Sequence, residues 1–195
     1  KNVVEIFKLK ETGLEILPTG YMLIETEELT SAIYMSESLP IPKNKSDIAS
    51  ATALAGEQLG LQFIYMDTGS GAQNAVKTAM INKVKQTINV PLIVGGGIGN
   101  GRSIRAVENL GVDFAYIGTR FLAAKETLIS DAYRQMVWGS QMEDLIQSRA
   151  ITGALGNWMK ASVEASGLSF DDTKKIAKID FSGDMHAESK AWKTV

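Results

Sequence analysis

FIYMDTGSGA, residues Phe63 to Ala72, reads as a strand that runs directly into a glycine loop. Phe63 to Asp67 has the apolar, β-favouring composition of a buried strand, and Gly69-Ser70-Gly71 cannot continue it. A helix is predicted behind the loop, from about Asn74 to Thr87. The unit then recurs. Pro91 to Val94 is a strand closed by Gly95-Gly96-Gly97, a helix follows from Ser103 to Leu110 with Gly111 as its stop, and Asp113 to Ile117 (DFAYI) is a strand before Gly118. Upstream, Ile16 to Glu25 (ILPTGYMLIE) is broken by Pro18-Thr19-Gly20, which leaves Tyr21 to Ile24 as a firm strand. Ser31 to Met35 is expected to form a short extended flap. Pro40 and Pro42 block helix until Ser46, which can cap a helix from Asp47 to Leu59 that ends at Gly60. Strands separated by helices at these intervals make parallel βαβ units. The expected fold class is α/β.

Beyond Thr119 the pattern changes. Lys125 to Trp138, Gln141 to Ser148 and Asn157 to Ser166 look helical, with further short helices expected from Asp171 and over Ala187 to Trp192. Ser148 to Ile151 is only a weak strand candidate. This divides the chain into an α/β portion over 1–124 and a helical extension over 125–195 that caps it.

The composition limits the function classes. The 195 residues carry a net charge of −2 and a pI near 5.5, so no basic field exists to hold a nucleic-acid backbone. A hydrophobic fraction of 45% and a charged fraction of 22% fit a folded domain. The absence of cysteine excludes disulfides and thiolate-metal sites and accords with a cytoplasmic location. No apolar run approaches the roughly 20 residues of a membrane span. Lys1 stands where an initiator Met would, so the chain is expected to be processed, tagged or a piece of something longer.

Three glycine loops follow three successive strands: Gly69-Ser70-Gly71, Gly95-Gly96-Gly97 and Gly118-Thr119. The carboxyl ends of parallel strands face one way, and ligands bind there. Glycine lets the backbone approach an anion closely, and amides at a following helix start favour negative charge. Tight βα turns would account for one such loop. Two in neighbouring units, with Thr119 and Arg120 beside them, match the phosphate site of a (β/α)8 barrel.

Four stretches carry a resemblance: LPTGYMLIE (Leu17 to Glu25), LPIPKNKSDIASATALAGEQLG (Leu39 to Gly60), FIYMDTGSGA and VPLIVGGGI (Val90 to Ile98). Residues 16–98 resemble the geranylgeranylglyceryl phosphate synthases, prenyltransferases on a TIM barrel. The resemblance implies that Tyr65 contacts glycerol phosphate and that Asp67 stands where a carboxylate, usually Glu, orients the attacking hydroxyl. It also implies that Gly69, Ser70, Gly71, Gly95, Gly96 and Gly97 hold the phosphate. A second resemblance covers residues 96–195. It rests on GGIGNGRSIRAVENLGVDFAYIGTRFLAAKE (Gly96 to Glu126), SDAYRQMV (Ser130 to Val137), TGALGNWMKASVEASGL (Thr152 to Leu168) and ESKAWKTV (Glu188 to Val195). These are similar to the FMN-dependent nitronate monooxygenases, in which the GGI and GTRF stretches bind the FMN phosphate. The two resemblances meet at the shared phosphate loop, so the chain looks like a junction of two barrel families.

Both families use residues that have no counterpart here. The synthases place an Asp on the first barrel strand to position Mg²⁺ and the prenyl diphosphate, and nothing before Ile16 supplies that strand. The monooxygenases have a catalytic His before the GGI strand, whereas the single histidine here is His186, which reads as solvated surface. The four candidate strands correspond by resemblance to the last four of eight, a half-barrel expected to self-associate because its sheet has two open edges. Lys43 and Lys45 read as solvated loop residues, and Glu25, Glu27 and Glu28 as a turn cluster. Met22, Met35, Met66, Met80 and Met136 read as core filling, and Trp138, Trp158 and Trp192 as packing anchors of the cap. The leading expectation is transfer of a polyprenyl group from its diphosphate to glycerol 1-phosphate, assisted by Mg²⁺, with Asp67 as base and no metal site assigned to the chain's own residues. An FMN-dependent flavoprotein with its phosphate on Gly96, Gly97, Gly118 and Thr119, or a non-catalytic half-barrel, are the alternatives.

Overall fold

The computed structural model describes residues 6–26, 38–69, 74–148, 156–167 and 193–194. Four strands form one sheet: β1 (Thr19–Leu23), β2 (Phe63–Asp67), β3 (Leu92–Gly95) and β4 (Phe114–Tyr116). They lie side by side in chain order and every pair is parallel. Helices α2 (Ser46–Gln58), α3 (Thr78–Thr87) and α4 (Gly101–Asn109) make the crossovers. This is the α/β, TIM-barrel-like arrangement expected from the sequence. Helix α3 begins at Thr78 rather than near Asn74. Helix α4 begins two residues early because the Asn100 side chain accepts the Ser103 N–H at 3.0 Å and Ser103 Oγ accepts the Asn100 N–H. A short helix α1 (Ile6–Glu11), unforeseen in the sequence, precedes the sheet. The expected flap over Ser31 to Met35 lies outside the described residues.

Alternation along the strands gives the sheet two unlike faces. One carries Met22, Ile24, Ile64, Met66, Leu92 and Val94, all buried against Ala49 and Ala53 of α2 and Met80, Ile81 and Val84 of α3. Ala49 and Ala53 are one helical turn apart, and their small side chains let α2 lie close to the sheet. Lys83 and Asp47 tie α3 to α2. The Asp113 carboxylate accepts Lys85 Nζ at 2.5 Å and the Leu92 N–H at 2.8 Å, which fixes α3, β3 and the start of β4 together. The opposite face is that of a barrel interior. Tyr21, Tyr65, Ile93 and Phe114 stand in register across it, and Tyr21, Phe114 and Tyr116 remain about half exposed.

The segment after residue 124 departs from the expected all-helical cap. Helix α6 (Asp131–Gly139) is present, after a single turn α5 (Thr119–Leu122), and starts six residues later than predicted because Ser130 Oγ accepts the Tyr133 N–H. Gln141 to Ser148 is not a helix. A 3-10 turn over Met142–Asp144 leads into β5 (Leu145–Ser148), antiparallel to β6 (Gly156–Met159), which pairs in turn with β7 (Lys193–Thr194). The predicted helix from Asn157 is therefore a strand up to Met159, and α7 (Lys160–Ala165) follows it. A short apolar run does not distinguish strand from helix by spacing. Cross-strand partners decide here: Leu145 faces Met159, Ile146 faces Trp158, and the Trp158 indole N–H donates to the Ser148 carbonyl at 3.3 Å. Trp158 is buried as expected, but Trp138 is 57% exposed and anchors nothing of that kind. Trp192, His186 and the helices expected from Asp171 and Ala187 lie outside the described residues.

Candidate active site

All three glycine loops leave the carboxyl ends of parallel, adjacent strands. Thr68 and Gly69 follow β2, Gly96 and Gly97 follow β3, and Gly118 follows β4 and caps α5, which opens at Thr119. Gly95 pairs with Tyr116 in the β3–β4 register, so the two loops expected to hold phosphate emerge side by side. Ser70 and Gly71 lie outside the described residues.

Tyr65 and Asp67 are two residues apart on β2 and share the exposed face. The Tyr21 hydroxyl donates to Asp67 Oδ2 at 3.1 Å. The Tyr65 ring lies between Tyr21, edge-on at 5.2 Å between centroids, and Tyr116 at 5.1 Å. Gly95 makes this possible, because a Cβ there would stand 2.4 Å from the Tyr65 hydroxyl. The next glycines are held differently. Gly96 and Gly97 have φ of +91° and +70°, in the left-handed region that a side chain disfavours. A Cβ on Gly96 would lie 3.3 Å from Thr68 Oγ1 and 3.5 Å from Asp67 Oδ1, so the loop folds back over the end of β2. Burial first, and the negative charge of Asp67 second, push the Tyr21 and Tyr65 phenols above the usual tyrosine range. Both stay protonated at neutral pH, so Tyr21 donates to Asp67 and the Tyr65 hydroxyl keeps a proton to donate.

The arrangement sets one carboxylate acceptor and two phenol donors on the sheet, beside a loop whose backbone a small anion can approach. Such a mixed set suits a ligand with a hydroxyl at one end and a phosphate at the other. Among the described residues no three His, Asp or Glu groups gather to hold a metal ion, so Asp67 alone does not make a Mg²⁺ cage. Gly96, Gly97, Gly118 and Thr119 could equally cradle the phosphate of FMN. Tyr21, Tyr116 and Thr68 were not singled out from the sequence. The tyrosines join the site through strand register, and the signal that could have found them is their identity on strands neighbouring Tyr65. Lys43 is tied into the structure, its backbone N–H donating to Glu25 Oε2 at 3.2 Å. Both line a pocket of about 240 Å³ with Thr68, Asn74 and Lys77. A larger pocket of about 410 Å³, lined by Met136, Asp144, Met159 and Lys160 among others, lies among the C-terminal elements and contains none of the predicted site residues, while Met136, expected in the core, lines it.

The family model for the PcrB family matches residues 1–136. The chain belongs to the PcrB family. The match passes through Gly96 to Met136, beyond residue 98 where the synthase resemblance seen in the sequence stops. Over 118 residues the chain is 47% identical to a geranylgeranylglyceryl phosphate synthase of Spirosoma linguale, covering 60% of this chain and 47% of that protein. It is 41% identical to the Pyrococcus furiosus synthase over 118 residues, 60% of this chain and 46% of the relative. The chain thus spans about half the length of these curated relatives. Among solved structures, the synthase of Thermoplasma acidophilum in complex with sn-glycerol-1-phosphate matches with a TM-score of 0.55 at 26% identity, over 65% of this chain and 49% of that one. The wild-type Thermoplasma volcanium enzyme matches with the same TM-score at 28% identity, over 61% and 47%.

Proposed function

We propose that this chain carries the acceptor half of a prenyltransferase barrel, which binds glycerol 1-phosphate for attack on a polyprenyl diphosphate. The observation that carries this reading is the juxtaposition of Asp67, held by Tyr21, with the Gly96 turn at the carboxyl end of the sheet. Phosphate would rest on the Gly96, Gly97 and Gly118 backbone with Thr119, continuing over Gly69, Ser70 and Gly71. Tyr65 would line the glycerol, and Asp67 would accept the proton of its free hydroxyl. In the reaction the allylic carbon–oxygen bond of the donor breaks and diphosphate leaves. The glycerol oxygen forms an ether bond to that carbon, and its proton passes to Asp67. The donor diphosphate and its Mg²⁺ are not assigned to described residues of this chain.

The division near residue 124 belongs to the same proposal and is supported by the two separate sheets. So does a cytoplasmic location; among the described residues no helix is long and apolar enough to cross a membrane. The junction with a flavoprotein family, read over residues 96–195, overlaps the family match, which runs on to residue 136. An FMN reading uses the same glycines, and flavin bands in the visible spectrum of the purified protein would reverse the preference. The test is incubation with labelled glycerol 1-phosphate, geranylgeranyl diphosphate and Mg²⁺, followed by extraction into organic solvent. Label in the organic phase that disappears in Asp67→Ala supports the reading. Label independent of Asp67 contradicts it.

A further inference from the structure

Thr68 follows Asp67 directly, and the residue is 3% exposed. A threonine hydroxyl can both donate and accept, so what it faces decides its use. Its position is informative. Oγ1 is the nearest atom to the space a Cβ would occupy on Gly96, at 3.3 Å, and the residue also lines the pocket shared with Lys43, Asn74 and Lys77. Asp67 Oδ1 is almost as near to that space, at 3.5 Å. An anion at Gly96 therefore meets a carboxylate on one side, and needs a donor on the other to offset the repulsion. Glycine amides supply part of this. The Thr68 hydroxyl, which can rotate its hydrogen toward a ligand, supplies the rest.

We propose that the Thr68 hydroxyl donates a hydrogen bond to a phosphate oxygen of the phosphomonoester held at Gly96. This rests on the prenyl-acceptor reading above and adds the Thr68 side chain to the contacts proposed there. The pairing assigns neighbouring residues to opposite ends of one small ligand: Asp67 to its hydroxyl and Thr68 to its phosphate. Val is close in shape to Thr but has no hydroxyl, whereas Ser keeps the hydroxyl and loses the methyl.

The test is calorimetric titration of the full chain with inorganic phosphate and, separately, with sn-glycerol 1-phosphate, for the parent, Thr68→Val, Thr68→Ala and Thr68→Ser. Thermal melts followed by circular dichroism check folding, and Ala answers the question if Val does not fold. Loss of a hydrogen bond to a charged group should weaken both ligands by roughly tenfold or more in Val and Ala. Ser should bind both within about threefold of the parent, a rescue that a purely packing role would not give. Parent-like binding by folded Val or Ala overturns the inference alone. So does weakening of glycerol phosphate with inorganic phosphate unaffected, because the contact would then be to glycerol. A parent that binds neither ligand overturns the acceptor reading and this inference together.

Discussion

Gly95→Ala is the sharpest perturbation of the site, because its new methyl would stand 2.4 Å from the Tyr65 hydroxyl and 3.0 Å from Cε2 of the same ring. Ordinary contact is about 3.5 Å, so the ring must retreat by about 1 Å. It has little room, with Tyr21 and Tyr116 at 5.2 and 5.1 Å on its two sides. If the ring holds its place, overpacking costs about 1–3 kcal/mol. If it swings away, the two aromatic pairs are lost at about 0.5–1.5 kcal/mol each. Either route gives about 1–3 kcal/mol, and the cost should depend on Tyr65. Urea denaturation followed by circular dichroism can measure it in a double-mutant cycle. On a Tyr65→Ala background, Gly95→Ala should cost less than about 0.5 kcal/mol, since the obstructing ring is gone. Gly97→Ala is the control. It meets nothing within 4 Å but has φ of +70°, so its cost of about 1–2 kcal/mol should be the same on both backgrounds. A Gly95→Ala cost that is equal with and without the Tyr65 ring would refute the packing described here.

The other predictions concern charge and assembly. Asp113→Ala leaves the Leu92 N–H without its acceptor and should destabilise the protein by about 1–3 kcal/mol at pH 7. Burial pushes the Asp113 carboxyl up, but hydrogen bonds from Lys85 and the Leu92 amide, with the Lys85 charge, hold it below its usual value. Its contribution is therefore present above the unfolded value of about 4 and is lost as pH falls through the lower folded one, so parent and variant should converge in acid melts. The Tyr21 and Tyr65 phenols, raised by burial and by Asp67, should ionise above the usual value of about 10 in an ultraviolet titration. Because the folded state keeps those protons longer than the unfolded chain, stability should fall as pH rises above about 10. Asp67→Asn should bring both ionisations part of the way back. An unchanged titration would show that the carboxylate charge does not act on them. Among the described residues the aromatic face is bare, β4 is an edge strand, and β1 is covered on its outer side only by the bridge to Ile41, so the protein should associate in dilute solution. Light scattering that finds a monodisperse monomer with a cooperative melt would contradict this.

The four parallel strands were legible because each is a short apolar run that ends in glycine or a polar residue, and because helices of the right length lie between them. The bounds of β2, Phe63–Asp67, are those read from the sequence, and the other three strands differ by one or two residues at an end. The C-terminal segment was misread for a physical reason. Leu145–Ser148 and Gly156–Met159 are each four residues long, too short to show a period, and become strands only by pairing with each other. The site was half legible. Asp67, Tyr65 and the glycines follow one another along the chain, where a motif can be recognised. Tyr21 and Tyr116 join them only through the register Tyr21↔Tyr65 and Gly95↔Tyr116, which no local pattern encodes. Thr68 emerges only from the way the Gly96 turn folds back on β2.

The central claim is that phosphate of the prenyl acceptor rests on the glycine backbone at one end of the sheet. Amide chemical shifts of isotopically labelled protein, followed while sn-glycerol 1-phosphate is added, test it directly. The glycines divide cleanly between the two ends. Gly96, Gly97 and Gly118 follow strands, while Gly60 and Gly111 precede β2 and β4 at the far end. The account predicts saturable shifts at Gly96, Gly97 and Gly118, with Gly60 and Gly111 unmoved. Shifts confined to Gly60 and Gly111, or none at any of the five at millimolar ligand, would contradict it.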